Sequence, residues 1–130
     1  MKEITVIAKN EVGSLAAIAE ALGNTGVNIE AISAYEKNDH AIFRVVTTDS
    51  VTATKALSKI PGATIRDAEI IIVKMSNRPG ELGKLTRKLA NKAINLESAY
   101  IVSRHSDFTE VAIKPADSDF QRAKEVLGIK

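Results

Sequence analysis

The chain contains no cysteine and no tryptophan, has only two histidines, and draws 4% of its 130 residues from aromatics. Without cysteine there is no disulfide, no thiolate nucleophile, and no cysteine-ligated zinc or iron–sulfur cluster. Two histidines leave almost nothing for a histidine metal cage, and so few aromatics leave few platforms for stacking single-stranded nucleic acid. The formal net charge of +2 tilts the protein toward neither nucleic acid nor acidic membrane. The longest hydrophobic run, Ile70–Val73, is far too short to span a bilayer. The opening Met1-Lys2-Glu3-Ile4-Thr5-Val6 lacks the apolar stretch of a secretory signal. These absences lead us to expect a cytoplasmic protein with no cofactor, no metal, and neither nucleic acid nor membrane as partner.

Apolar residues at 45% and charged residues at 26% are those of an ordinary globular chain. The chain repeats itself. Asn10-Glu11-Val12-Gly13-Ser14-Leu15 aligns with Asn77-Arg78-Pro79-Gly80-Glu81-Leu82, 67 residues on. At the same shift Ile18 meets Leu85, Leu22 meets Leu89, and Val27-Asn28-Ile29-Glu30 meets Ile94-Asn95-Leu96-Glu97. The shift then becomes 68, pairing Phe43 with Val111 and Val45 with Ile113, which places one extra residue in the second copy's hairpin. Two small units are therefore expected, residues 1–67 and 68–130, joined at Asp67-Ala68 with no flexible linker.

Each copy reads alike. Ile4–Ala8 is a β-branched strand, Leu15, Ile18, Ala19 and Leu22 share one helix face, and Gly23 and Gly26 bracket the helix exit. Val27–Tyr35 and Ala41–Thr47 follow as strands around a polar hairpin. Ala53, Ala56, Leu57 and Ile60 make a second helix stopped by Pro61-Gly62, and Ala63–Arg66 a short fourth strand. The second copy repeats this with strands Glu69–Met75, Ile94–Ser103 and Phe108–Lys114, a helix over Gly80–Lys92, and a last helix marked by Phe120, Ala123 and Leu127. Only Gly128-Ile129-Lys130 remain for its fourth strand. The fold class is thus α+β: two ferredoxin-like βαββαβ units in tandem, antiparallel sheets with helices on one face, the second lacking most of its fourth strand. Its first strand becomes an apolar edge, with Ile70 and Ile72 pointing opposite to Ile71 and Val73. A second copy of the chain is the commonest cover for such an edge, so a homodimer with Ile70 and Ile72 near its contact is expected.

The chemistry concentrates in the duplicated Asn-x-x-Gly-x-Leu turn. Glycine permits unusual backbone angles, the helix start offers unpaired N–H groups to a carboxylate, and an asparagine amide both donates and accepts. Asn and Gly are equally good turn and cap residues, but two matched copies favour a binding role. His40 and His105 read as solvated hairpin residues. Lys84, Arg87, Lys88 and Lys92 read as a charged helix face. Ser14, Ser33 and Ser103 have no histidine or lysine placed to activate them, so no enzyme is expected. The third strands lack the aromatic pattern of RNA-recognition folds, and Arg78 lacks the surroundings it would have in an acylphosphatase.

Asn77-Arg78-Pro79-Gly80-Glu81-Leu82 followed by Asn95-Leu96-Glu97 resembles the ACT domain, a small regulatory module of amino-acid metabolism. Gly26-Val27-Asn28-Ile29-Glu30 of the first copy fits the same pattern and is similar to the regulatory subunit of acetohydroxyacid synthase. The resemblance implies a non-catalytic sensor that binds a small amino acid where two ACT units meet, the turn of one facing the second-strand asparagine of the other. Carried onto this chain, it implies ligand-binding roles for Asn10, Val12, Gly13, Ser14 and Leu15, for Asn77, Arg78, Pro79, Gly80, Glu81 and Leu82, and for Asn28 and Asn95. It also implies an alternative, a regulatory subunit docking on a biosynthetic enzyme with or without ligand. The first turn departs from the family pattern, with Glu11-Val12 where Arg-Pro is usual. The histidine some relatives carry two residues before the turn is replaced by Ala8 and Met75.

Overall fold

A computed structural model describes residues 1–129. The first unit runs β1 (Lys2–Lys9), α1 (Ser14–Asn24), β2 (Ala31–Lys37), β3 (His40–Thr47), α2 (Ser50–Ser58) and β4 (Thr64–Glu69). Its four strands lie in the order β2-β3-β1-β4, each antiparallel to its neighbour. Alternation in β1 sends Ile4, Val6 and Ala8 to one face, where Phe43 and Val45 join them. Ile18 and Leu22 of α1, with Ala53 and Leu57 of α2, close the core from above. Asp49 caps α2, its carboxylate accepting from the Thr52 amide at 3.1 Å.

The second unit runs β5 (Ile71–Ser76), α3 (Glu81–Ala90), β6 (Leu96–Arg104), β7 (Phe108–Pro115), a 3-10 turn over Asp117–Asp119, and α4 (Phe120–Val126). Its strands lie in the order β5-β7-β6, so among the described residues β5 has a neighbour on one side only. Ile71, Val73, Val111 and Ile113 pack under Leu85, Leu89 and Ala123. Two tandem βαββαβ-type units with antiparallel sheets are what the hydrophobic periods imply, and the second sheet does lack a fourth strand among the described residues.

Local chemistry moves several boundaries. The chain is still closing α1 where a strand was expected: Gly26 adopts φ +75° and the Val27 amide bonds back to the Leu22 carbonyl at 3.0 Å. Strand β2 therefore starts at Ala31 rather than Val27. Strand β4 pairs with β1 through to Lys2–Glu69, so Asp67 and Ala68, the expected junction, lie inside a strand. The compact units divide after Glu69. Lys130, the last residue assigned to the second unit, lies outside the described residues. Ile70 retains only 5% of its exposure in the single chain, so its burial needs no second copy, contrary to the sequence expectation; Ile72 is half-buried.

Candidate functional site

In the first unit the chain leaves β1 at Lys9 and enters α1 at Ser14 through a four-residue turn. Gly13 caps the helix in the left-handed region (φ +88°, ψ 0°), where a Cβ would be strained. No side chain caps α1 and no acidic residue stands in its first turn. The Ser14 hydroxyl turns back onto the turn itself, 3.0 Å from the Lys9 carbonyl and 2.9 Å from that of Glu11. Asn10 ties the turn to the β2–β3 hairpin: its amide N–H reaches the Asp39 carbonyl at 3.4 Å, and its Nδ2 donates to Glu36 Oε2 at 2.6 Å. Val12 is fully exposed and Leu15 about half exposed.

The second unit repeats this framework. Gly80 stands at φ +88° and ψ −12°, the Asn77 N–H reaches the Asp107 carbonyl at 3.2 Å, and Asn77 Nδ2 donates to the His105 carbonyl at 2.8 Å. The two asparagines thus do the same structural work, bracing the turn against the hairpin. The electrostatics differ. Glu81, the first residue of α3, places its carboxylate 2.9 Å from Arg78 Nη2 and 3.7 Å from Lys84 Nζ. A carboxylate at a helix start already complements the macrodipole. Pro79 is exposed, as is much of Leu82. The unusual backbone angle expected of the turn glycine is present at both Gly13 and Gly80, and a Cβ built at either meets no protein atom within 4 Å.

Two grooves flank the first turn. One, of about 590 Å³, runs between α1 and the β2–β3 hairpin, with Asn10, Leu15, Ala19, Ala34 and Phe43 among its lining. The other, of about 330 Å³, lies toward the end of α2 against Lys9, Val12, Ala17, Ile60 and Pro61. Glu11, Gly13 and Ser14 line both, so the turn stands as a rib between them. Sequence reading named the turn residues but not Ala16, Ala19, Ala34, Ala41 and Phe43, because alanines scattered over 26 positions carry no local motif.

Asn28 and Asn95 precede their strands and are exposed; Asn28 Nδ2 lies 3.4 Å from Glu30 Oε1. Because β2 runs alongside β1 in the same direction, Asn28 sits at the far end of its own sheet from Asn10. The histidines make local contacts, His40 Nδ1 with the Asn38 carbonyl at 3.0 Å and His105 with a stacked Phe108. No group of three or more His, Asp or Glu among the described residues is placed to hold a metal ion. No helix among them is long and apolar enough to cross a membrane.

On the sheet face opposite the helices, Glu3 is 1% exposed and pairs with Arg44 at 3.2 Å. Burial alone would lower the Arg44 pKa, but the Tyr35 hydroxyl and the Glu3 carboxylate outweigh it and hold the guanidinium above its ordinary value. Arg44 also donates to Thr5 Oγ1 at 3.3 Å. The sequence signal for this cluster was the polar phase of β1, where Glu3 and Thr5 alternate with Ile4 and Val6.

Residues 2–60 match the ACT domain family. A crystal structure of a protein from Bacteroides thetaiotaomicron is similar over 98% of this chain and 85% of its own, at 25% identity and a TM-score of 0.84. The regulatory subunits of aspartate kinase from Thermus thermophilus and Thermus flavus are each 19% identical over 98% of this chain and 90% of theirs, with TM-scores of 0.70 and 0.63. No curated protein matches the chain. The first unit matches the ACT domain family over residues 2–60 and the second repeats its turn, hairpin brace and left-handed glycine, so the chain is built of two ACT-like units.

Proposed function

We propose that this is a cytoplasmic, non-catalytic regulatory protein that binds a free amino acid at an ACT turn. One observation carries the reading: the start of α1, with no side-chain cap, opens beside a groove with ample room for an amino acid. Unpaired helix N–H groups favour a carboxylate. The Asn10 amide, with Glu36 2.6 Å away, offers acceptors to an ammonium group. Asn28 and Asn95 lie too far along their own sheets to complete their own turns, so the amide expected across the ligand comes from another unit. Ligand free energy then favours one packing of units over another, which is the linkage a regulator needs. Calorimetry of the full chain against the twenty amino acids tests this. Saturable binding at one or more is expected, and no heat or thermal shift with any of them refutes it.

A second reading, a subunit that docks on a biosynthetic enzyme, draws on the exposed Val12, Leu15, Leu82 and Ile101. The similar regulatory subunits of aspartate kinase support it by analogy of fold. We further propose a homodimer, with the open side of β5 and its half-buried Ile72 at the contact. Light scattering is expected to give twice the chain mass, reduced by Ile72→Glu. A stable monomer at high concentration refutes it.

A further inference from the structure

The large groove of the first unit says what kind of side chain it admits. Phe43 and Ala41, both buried, form its floor. Leu15, Ala16 and Ala19 of α1 line one side, and Ala34 of β2 the other. Its polar side chains stand at the turn end, where Asn10 Nδ2 is engaged by Glu36 and the Asn10 oxygen is the acceptor offered to the ammonium group. Ser14 Oγ is held by two turn carbonyls, and Tyr35, one residue on from Ala34, sends its hydroxyl to the opposite sheet face, where it accepts from Arg44 Nε and Nη2 at 3.2 and 3.1 Å. The one charged residue in the lining is Glu11, and it is acidic. A charged or hydrogen-bonding ligand side chain entering this groove loses water and meets methyl and phenyl groups in exchange. An acidic one also approaches Glu11, with no lysine or arginine in the lining to offset it. An ammonium group at the rim is attracted by the same carboxylate.

We propose that this groove receives an amino acid with a large, uncharged, apolar side chain, of the leucine, methionine or phenylalanine kind, and rejects aspartate and glutamate. The four alanines leave the space that such a side chain fills, and burying it supplies the selectivity that polar contacts cannot. This rests on the amino-acid-binding reading and narrows it to a ligand class and to the first unit.

The test is calorimetry of the full chain with leucine, methionine, phenylalanine, serine, aspartate and glutamate, repeated on Ala19→Arg and Ala34→Arg. Both positions are exposed, on α1 and on the outer strand β2, so the variants are expected to keep their circular dichroism; either one that folds suffices. The wild type is expected to bind an apolar member at least tenfold more tightly than aspartate or glutamate. An arginine in the wall is expected to weaken that binding at least tenfold and to improve glutamate. A wild-type preference for acidic or small polar members, or apolar binding unchanged by both arginines, overturns the proposal and leaves amino-acid sensing intact. Silence from every amino acid removes the sensing reading, and this proposal with it.

Discussion

The second turn allows one substitution to be made twice, three residues apart, with opposite signs expected. Gly80 caps α3 at φ +88°, and Gly83 is the third residue of the same helix, without a positive φ. A Cβ at either position meets no heavy atom within 4 Å, so neither overpacking nor cavity filling enters. What remains is backbone energetics. An L-residue held in the left-handed region costs about 1–2 kcal/mol, so Gly80→Ala should destabilise the unit by about that much. Alanine inside a helix is favoured over glycine by about 0.5–1 kcal/mol, so Gly83→Ala should stabilise it by that amount. The two variants should therefore differ by roughly 1.5–3 kcal/mol. Gly80→Asn supplies the control, because asparagine tolerates the left-handed region and should recover part of the loss. Urea denaturation of the full chain followed by circular dichroism reads this out as shifted midpoints at constant slope. If Gly80→Ala is neutral or stabilising at unchanged slope, the left-handed cap is not the state of this turn in solution.

Arg44→Met removes the guanidinium that pairs with Glu3 at 3.2 Å and bonds the Tyr35 and Thr5 hydroxyls, and should cost about 1.5–3 kcal/mol; a loss below about 1 kcal/mol in urea would show that the cluster adds little. Asp49 is held below its ordinary value of 3.8, first by its side-chain bond with Thr52 and then by the Thr52 amide. A depressed folded-state pKa means that this carboxylate adds stability at pH above its unfolded value and loses it as pH falls through the folded one. Asp49→Ala should thus lower the melting temperature near neutral pH and narrow its gap to wild type under strong acid, and an equal gap at both ends would exclude the ionised cap.

Parts of this fold were legible because their causes are local. The Asn-x-x-Gly-x-Leu turn and the backbone angle of its glycine are legible twice, whereas the asparagine's brace to the hairpin that follows in the same unit was not, since its partner lies 26 or 28 residues on. The extra hairpin residue shows as well: Asn38 and Asp39 turn the first hairpin, while His105, Ser106 and Asp107 turn the second. Strand β4 was underestimated for the opposite reason. Thr64-Ile65-Arg66-Asp67-Ala68-Glu69 has the composition of a loop, and only pairing with β1, with Lys2 and Asp67 3.6 Å apart, makes it a strand of six residues. The groove was invisible for the same kind of reason. Ala34 gains its role from facing Phe43 across the ladder, a register fixed by the hairpin rather than by any property of alanine.

That contrast bears on how one turn, used twice, can serve two ends. Both copies keep the features that set the backbone: the left-handed glycine, the asparagine brace and the buried helix face carrying Ile18 and Leu22 or Leu85 and Leu89. They part at three turn positions, where Glu11, Val12 and Ser14 stand against Arg78, Pro79 and Glu81. Ser14 spends its hydroxyl on the turn carbonyls and leaves the helix start uncharged. Glu81 fills the corresponding position with a carboxylate held by Arg78 and Lys84. A helix terminus favours one nearby negative charge by about 0.3–1 kcal/mol, and at α3 that charge is supplied by the chain itself. The shared backbone makes both turns structural, and the exchange of Ser14 for Glu81, with Arg78 beside it, gives their helix starts different electrostatics.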